Sequence, residues 1–302
     1  MPKETPSSVT DLLRTLLFTP ANHARRVEKA LTLPADAVIL DLEDAVAASE
    51  KPRARLDALA ARGLQRRGRL IVRVNGLTTE WGYADLVAMV APGIDGIMLP
   101  KVESAQDLGT AEWLIAALER DAGLPAGGID MIPLIETAAG MQALEAIART
   151  ARRARRIAFG AGDFTLDTNL DWSREEWELL PHRSHCVLTS RAQGLEPPID
   201  TVWARLDDAE GYAASVERAR ALGFAGKLCI HPSQLGPANA AFSPSPEAVE
   251  RARRVVAAFA EAEVKGLASI TLDGAFIDYP IAYAAQRILA RANAIQNAES
   301  AA

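Results

Sequence analysis

Short apolar segments alternate with amphipathic segments along most of the chain. The apolar segments are rich in Ile, Leu and Val, which is typical of buried parallel strands. Between two of them, Met141, Leu144 and Ile147 recur at helical spacing and predict a helix over 138–150. The pattern predicts eight strands, each followed by a helix, at 15–20, 37–44, 69–75, 96–101, 130–137, 157–165, 198–203 and 226–232. This repeat is the signature of an α/β protein with a (β/α)8 TIM barrel.

A doubly wound open sheet is the alternative fold for such a chain. That fold more often carries a Gly-x-Gly-x-x-Gly turn after its first strand, where this sequence has Pro20, Ala21 and Asn22. Polar residues also stand at or near the C-terminal ends of the predicted strands, which form one mouth in a barrel. These residues are Asp41, Glu43, Asp44, Arg73, Asn75, Lys101, Glu136, Asp163 and His231. Their one-sided placement favours the barrel and predicts an active site at its mouth.

The remaining chain is longer than a barrel requires. Residues 1–232 are predicted to form the barrel, with 1–10 as a loose polar segment. Residues 233–302 are predicted to hold the last barrel helix and a C-terminal helical extension. Within it we expect a helix from 246 to about 263, a small hairpin or turn at 266–274, and a last helix ending near 293. An extension of this size is expected to cover its own barrel or the active site of a neighbouring subunit.

Composition narrows the class of partner. The net charge is -6 and the pI is near 5.4, which argues against nucleic acid or an anionic membrane as a partner. The one dense basic cluster, 152–156, precedes the sixth strand and is predicted to be a solvated face or a subunit contact. Only Cys186 and Cys229 occur, without a Cys-x-x-Cys pair, so no disulfide framework or zinc site is expected. With no long apolar run, the predicted location is the cytoplasm.

Two acids at the ends of neighbouring strands are the strongest chemical signal. Glu136 and Asp163 follow the fifth and sixth predicted strands, and a right-handed crossover makes those strands parallel neighbours. Two carboxylates side by side either share a proton or hold a hard cation. Gly160, Ala161 and Gly162 precede Asp163, and the glycines allow close approach of a bound substrate. This stretch predicts a metal and substrate site, against the alternative of ion pairs with Arg73 or Lys101.

The other strand-end residues allow two interpretations each. Asp41, Glu43 and Asp44 either reach a metal through water or cap the next helix. Lys101 is predicted to neutralise acids in the mouth rather than to form a Schiff base, which needs a desolvated or cation-flanked lysine. His231 is predicted to be a site residue or a hydrogen-bonded residue at the strand end.

Several motifs, taken in order, resemble the citrate lyase beta chain and malyl-coenzyme A lyase family within the HpcH/HpaI aldolase superfamily. The matching pieces are RTLLFTP at 14–20, DLEDAV at 41–46 with Lys51, Ala54 and Arg55 after it, VRVNG at 72–76, LPKVE at 99–103, LIET at 134–137, FGAGD at 159–163, GKLCIHP at 226–232 and DGAFID at 273–278. The resemblance extends over 14–292. One departure lies after the first strand, where the family commonly has Pro-Gly and this chain has Pro20-Ala21.

The resemblance implies a modified TIM barrel that forms a homo-oligomer, often a trimer, and uses Mg²⁺. It implies cleavage of a 2-hydroxyacyl thioester such as malyl-, citramalyl- or citryl-coenzyme A into an acyl-coenzyme A and an α-keto acid. By motif, Glu136 and Asp163 would bind Mg²⁺ and Arg73 would face the thioester carbonyl. Asp278 would be an acid or base, in its own or a neighbouring subunit. The alternatives are a family aldolase acting on free acids or another carrier, and a beta subunit active only within a larger lyase complex.

Overall fold

A closed barrel of eight parallel strands forms the centre of the protein. This computed structural model describes residues 12–301, so the predicted loose segment 1–10 lies outside the described residues. The barrel strands are β1 (Thr15–Pro20), β2 (Ala37–Asp41), β3 (Arg69–Arg73), β4 (Gly96–Leu99), β5 (Asp130–Ile135), β6 (Ala158–Phe159), β7 (Ile199–Asp200) and β8 (Gly226–Cys229). Each strand pairs with the next, and β1 closes the ring by pairing with β8. The predicted TIM barrel is confirmed.

Alternating side chains fill the barrel interior. Leu16, Ile39, Ile71 and Met98 belong to one buried cluster contributed by strands all around the ring. The residues between them face the surrounding helices, as the two-residue period of a strand requires. The register also sets Pro20, Asp41 and Arg73 side by side at the C-terminal ends of β1, β2 and β3. The strand ends therefore bring an acid next to a base.

Helices surround the barrel. They are α1 (Ala24–Thr32), α2 (Lys51–Ala61), α3 (Gly82–Met89), α4 (Ala105–Asp121), α5 (Ala138–Gln142), α6 (Leu144–Thr150), α7 (Ala161–Thr168), α8 (Leu180–Ala192), α9 (Ala209–Leu222) and α10 (Leu235–Ala241). The predicted helix over 138–150 is two helices, α5 and α6, because the chain turns out of helical geometry at Ala143. In residues 12–301, no helix is both long and apolar enough to cross a lipid bilayer.

The sixth strand differs most from its prediction. The strand ends at Phe159 rather than Thr165, and α7 begins at Ala161. The Gly160 amide donates the last ladder hydrogen bond, to the Ile135 carbonyl at 3.0 Å. The Ala161 amide instead donates to Thr201 Oγ1 at 2.8 Å, and the Phe164 amide returns to the Gly160 carbonyl and starts the helix. Asp163 therefore lies in the first turn of a helix and not on a strand.

The basic cluster 152–156 is only partly solvated. Arg153 Nη1 and Nη2 donate to the two carboxylate oxygens of Glu119, at 2.6 and 2.7 Å, and Arg156 is buried. A solvated face is therefore wrong for Arg153 and Arg156, which are largely shielded from solvent, whereas the alternative of a subunit contact stays a prediction.

Residues 240–301 form a second compact unit, and residues 13–239 form the first. The second unit contains α11 (Pro246–Val264), the antiparallel hairpin of β9 (Ser269–Leu272) and β10 (Ala275–Asp278), and α12 (Tyr279–Ala301). Its apolar core includes Val255, Phe259 and Ile277. The hairpin turns through Asp273 and Gly274, both with positive φ. The prediction that the last helix ends near 293 is wrong, because neither Gly nor Pro follows to stop it.

Candidate active site at the barrel mouth

Arg73 is held in place by acids from the neighbouring strand and its turn. Its Nε and Nη2 donate to the two carboxylate oxygens of Asp41, at 2.8 and 2.6 Å. Its Nη1 lies 3.0 Å from Glu43 Oε2, and the guanidinium carbon lies 4.7 Å from the centre of the Phe18 ring. Burial lowers the pKa of Arg73, but Asp41 and Glu43 raise it more, so the side chain stays charged. Two carboxylates and an aromatic face fix its orientation.

Lys101 carries the second positive charge of the mouth. Its ammonium group forms a short ion pair with Glu43 Oε1 and lies 3.3 Å from Asp163 Oδ2. Burial lowers the pKa of Lys101, but Glu43 and the nearby Glu136 raise it above its ordinary range, so it remains charged. A protonated, ion-paired amine is not a nucleophile, which agrees with the prediction of a neutralising role over a Schiff base. The backbone of Lys101 has a φ of 49°, which is uncommon for a residue other than glycine.

Glu136 is a buried carboxylate with little positive charge around it. Its Oε1 accepts the backbone amide of Lys101 at 2.9 Å. In residues 12–301, no Lys, Arg or His side chain lies within salt-bridge distance of its carboxylate. Burial raises the pKa of Glu136 strongly; the charges of Glu43 and Asp163 raise it further, and Arg73 lowers it. The ionised form of this side chain therefore lacks a cation.

Two glycines border the acids in different ways. A Cβ atom on Gly160 would lie 2.7 Å from both Cβ and Oε2 of Glu136, so only glycine leaves room for that carboxylate. A Cβ on Gly162 would meet only the Trp172 ring, at 4.0 Å. Gly160 therefore shapes the position of Glu136, while the helix turn at Gly162 and Asp163 stays open on one side. Ala161 between them is buried and anchored through its amide.

We define the mouth cluster by its charged members: Asp41, Glu43, Asp44, Arg73, Lys101, Glu136 and Asp163. Direct contacts between Arg73 or Lys101 and the acids join it, and Glu136 joins through the Lys101 amide. Its five carboxylates face two cations. Buried Glu43 Oε2 accepts no well-aligned hydrogen bond. The cluster is thus short of positive charge and of donors.

This donor set fits a hard divalent cation. Mg²⁺ prefers one or two carboxylates, with waters and substrate oxygens completing its shell. Across residues 12–301, no group of three or more His, Cys, Asp or Glu side chains has the arrangement of a metal site. A metal at the mouth would therefore have few protein ligands. Within that part of the chain, Glu136 has no cation in direct contact and Asp163 has only Lys101, so these two carboxylates are the candidates.

Two further predicted residues have local contacts of their own. His231 caps the short helical turn after β8, where its Nδ1 lies 2.8 Å from Ser233 Oγ. Asp278 ends β10 in the second compact unit and accepts the Ile281 amide at 3.3 Å. This contact is typical of a residue that caps the N-terminus of a helix, here α12.

Sequence reasoning missed a buried charge network between the strands and the helices. Asp200 of β7 accepts hydrogen bonds from Lys227 of β8 at 2.5 Å and from Arg183 of α8 at 2.8 Å. Arg183 also bonds Glu176, which accepts from Ser215 at 2.7 Å. We call this set, with Arg218, the shell network. The network joins residues far apart in the sequence, and of its members only Lys227 lies in a quoted motif, GKLCIHP at 226–232.

The chain is similar to known proteins over most of its length. The family model described as HpcH/HpaI aldolase/citrate lyase matches residues 14–232. The citrate lyase subunit beta of Leuconostoc mesenteroides subsp. cremoris is 37% identical over 94% of both chains. A (3S)-malyl-CoA thioesterase of Cereibacter sphaeroides is 40% identical over 93% of this chain and 95% of its own.

A solved structure is also similar. It is protein CitE from Mycobacterium tuberculosis in complex with magnesium, acetoacetate and coenzyme A, with a TM-score of 0.74 and 31% identity over 94% of this chain and 99% of that one. The match of the family model over most of the barrel, together with these relatives, decides the family. The chain belongs to the HpcH/HpaI aldolase/citrate lyase family and is an enzyme of the lyase class.

Proposed function

We propose that the protein is a Mg²⁺-dependent carbon-carbon lyase. It would cleave, or form, a 2-hydroxyacyl thioester such as malyl-, citramalyl- or citryl-coenzyme A, giving an acyl-coenzyme A and an α-keto acid. The observation that carries the proposal is the unbalanced charge of the mouth cluster, in which Glu136 is buried without a cation. The related CitE structure, which holds magnesium, acetoacetate and coenzyme A, supports the same assignment.

Glu136 and Asp163 would hold the metal ion. Bound there, Mg²⁺ would polarise the oxygens of a 2-hydroxy acid or α-keto acid, as a Lewis acid does. Gly160 keeps space open beside Glu136, and 160–162 would line the bound substrate. Lys101 would hold Glu43 and Asp163 in place and limit repulsion among the acids.

Arg73 would act on the thioester end of the substrate. Cleavage leaves negative charge on the oxygen of the former thioester carbonyl, and a guanidinium fixed beforehand stabilises that charge at no reorganisation cost. Asp41 and Glu43 fix this guanidinium in advance. Arg73 therefore serves as both salt-bridge partner and electrostatic catalyst.

Asp278 would act as the acid or base, and this role rests on the family resemblance. The carboxylate belongs to the segment at 273–278 that matches the family motif. It would serve its own subunit or a neighbour in a homo-oligomer, with a trimer as our proposal. We place the enzyme in the cytoplasm, and we keep two alternatives, an aldolase acting on free acids and a beta subunit active only within a larger complex.

Thioester hydrolysis in addition to the lyase reaction is a second candidate activity, because relatives at 40% identity carry the name (3S)-malyl-CoA thioesterase. The two reactions give different products from one substrate. A lyase releases an α-keto acid and a shorter acyl-coenzyme A, whereas a thioesterase releases the intact hydroxy acid and free coenzyme A. The same assay therefore distinguishes the two activities.

The test incubates the purified chain with a panel of hydroxyacyl-coenzyme A thioesters and the matching free acids. Products are identified by mass spectrometry, with Mg²⁺ and then with EDTA. We expect shorter acyl-coenzyme A products that disappear with the chelator. Glu136→Ala and Asp163→Ala should each lower kcat/KM by at least about 1000-fold, because a metal ion supplies several kcal/mol of transition-state stabilisation.

The controls separate metal loss from unfolding. Both variants should keep the circular dichroism spectrum of the unmodified protein while losing Mg²⁺ binding by calorimetry. Asp278→Asn should lose activity and keep Mg²⁺ binding. Full activity in either Glu136→Ala or Asp163→Ala would exclude the metal site, and activity on free acids alone would favour the aldolase.

A further inference from the structure

Lys51 is a buried lysine that the proposed mechanism does not use. It opens α2, and only 7% of its surface is exposed. Its ammonium group has three hydrogens and three oxygen acceptors: the carbonyls of Leu42 and Glu43, each at 2.9 Å, and Asn75 Oδ1 at 2.6 Å. The Trp81 ring lies 5.1 Å from the same nitrogen. Every donor of this lysine is therefore engaged.

None of the three acceptors is a carboxylate, although acids lie close by. A buried ammonium usually pairs with a carboxylate, which offsets the cost of removing its charge from water. Here the acids Asp41 and Glu43 are engaged by Arg73 instead. Lys51 thus binds the backbone that carries the acids, which suits a residue that shapes this turn.

The turn after β2 is held through both kinds of backbone group. The amides of Glu43 and Ala45 donate to the Asp41 carboxylate, at 2.9 and 3.1 Å. The carbonyls of Leu42 and Glu43 accept from Lys51. Both peptide groups that flank Glu43 are thereby fixed, and with them the direction in which its side chain leaves the chain.

A further set of hydrogen bonds orients Asn75, the side chain that accepts from Lys51. Asn75 Nδ2 donates to the Leu42 carbonyl at 2.9 Å and to Asp85 at 2.6 Å, which orients its amide so that Oδ1 faces Lys51. Asp85 in turn accepts from Arg55 at 2.7 Å. Lys51, Arg55 and Asn75 come from two separate sequence motifs, and the fold joins them on one turn.

We propose that Lys51 is a positioning residue that holds the turn after β2, so that Asp41 and Glu43 clamp Arg73 in its catalytic orientation. The role in catalysis rests on the proposed lyase function, but the clamping of Arg73 does not. Lys51 itself touches no substrate. Its loss should therefore loosen Arg73 and leave Glu136, which follows β5, and Asp163 of α7 in place.

The test uses Lys51→Met, which keeps the length of the side chain and removes all three donors. We expect kcat to fall about 100-fold, because a displacement of about 1 Å in a catalytic group has an effect of that size. Mg²⁺ affinity, measured by calorimetry, should fall far less than kcat, by about twofold, because Lys51 contacts neither Glu136 nor Asp163 and is joined to them only through Glu43 and Lys101. This split between kcat and metal affinity is not expected from general loosening of the fold.

A second readout does not depend on activity. With ¹⁵N-labelled arginine, the Nε–H signal of Arg73 is identified by its absence in Arg73→Lys. The signal should be sharp and protected from solvent exchange in the unmodified protein and broadened or lost in Lys51→Met. If the protein cleaves no substrate of the panel, the lyase proposal fails while this signal still decides the role of Lys51.

Arg153→Met is the matched control. It also removes a largely buried cation with several hydrogen bonds, to Glu119 and to the Ile129 carbonyl, and it lies outside the mouth cluster. It should lower thermal stability comparably and leave kcat and the Arg73 signal unchanged. Equal losses in the two variants, or a sharp Arg73 signal in Lys51→Met, would overturn the proposal.

Lys51→Ala keeps the test decisive if Lys51→Met does not fold. Added n-propylammonium should restore the Arg73 signal and kcat in a saturable way, because it returns the ammonium donors to the space left by the side chain. Tetramethylammonium, which has no N–H donor, should not. Equal rescue by both salts would show an ionic-strength effect and reject the positioning role.

Discussion

The barrel carries two groups of charges, one partly exposed at the mouth and one buried, that differ in how they are balanced. In the mouth cluster five carboxylates face Arg73 and Lys101. In the shell network two carboxylates, Asp200 and Glu176, bond to three cations. One group has an excess of acid, and the other has a partner for every acid.

The pKa directions of the two groups follow from this difference. Burial raises the pKa of Asp200, but Arg183 and Lys227 outweigh it and bring the pKa below its ordinary value. Burial also raises the pKa of Glu136, and there the nearby acids add to the effect. Comparable burial thus favours an ionised carboxylate in one place and a neutral one in the other. The shell network is complete as it stands, whereas the mouth cluster is suited to receive a cation.

The largest expected contrast is in stability. Asp200→Asn should lower the free energy of unfolding by about 3–5 kcal/mol, because it leaves buried Lys227 and Arg183 without their anion. Glu136→Gln, an equally conservative change, should leave stability unchanged or raise it, because it removes an acid whose ionised form is disfavoured. Urea unfolding at neutral pH with EDTA present measures both variants. Similar losses in the two variants would remove the distinction between the regions.

The sequence predicted the mouth better than the shell for a physical reason. Strand-end acids such as Asp41 and Glu136 are placed by their own strands, so the barrel topology alone brings them to one rim. The shell network depends on how helices α8 and α9 pack against β7 and β8. Arg183 and Lys227 resemble ordinary exposed residues in sequence, and only tertiary packing buries them.

The position of Asp163 shows a second limit of the sequence. The apolar residues from Ile157 onward predict a strand that ends on an acid, and Gly160 and Gly162 do not favour a helix there. The amide of Ala161 finds Thr201 instead of a strand partner, and the helix starts there. The strand thus gives way to a helix where the backbone bonds a residue forty positions away, a contact that the local sequence does not reveal. The chemistry predicted for Asp163 remains a proposal, now for a residue in a helix turn.

A smaller effect is expected from the two glycines beside the acids. Gly160→Ala should weaken Mg²⁺ binding about tenfold or more, since its Cβ would displace Glu136 and an ill-placed metal ligand or its support costs 10–100-fold in affinity. Gly162→Ala is the matched control, because its Cβ would meet only the Trp172 ring at 4.0 Å. Mg²⁺ titration by calorimetry compares the two. Equal affinities would show that Glu136 is not a ligand or that it moves freely.

The smallest expected effect is a proton released when the metal binds. The pKa of Glu136 lies well above its ordinary value of 4.5, so the folded protein keeps a proton that the unfolded chain has lost as pH rises above that value. Without metal, the contribution of Glu136 to stability should therefore decline across the pH window between 4.5 and the higher pKa of the folded state. Mg²⁺ binds the ionised carboxylate, so stabilisation by Mg²⁺ should grow over the same window, with release of a fraction of one proton. Calorimetry in two buffers of different ionisation enthalpy measures that fraction, which should vanish in Glu136→Gln. A shell variant such as Ser215→Ala lies outside the mouth cluster and should leave the fraction unchanged, so a loss in both variants would place the proton elsewhere.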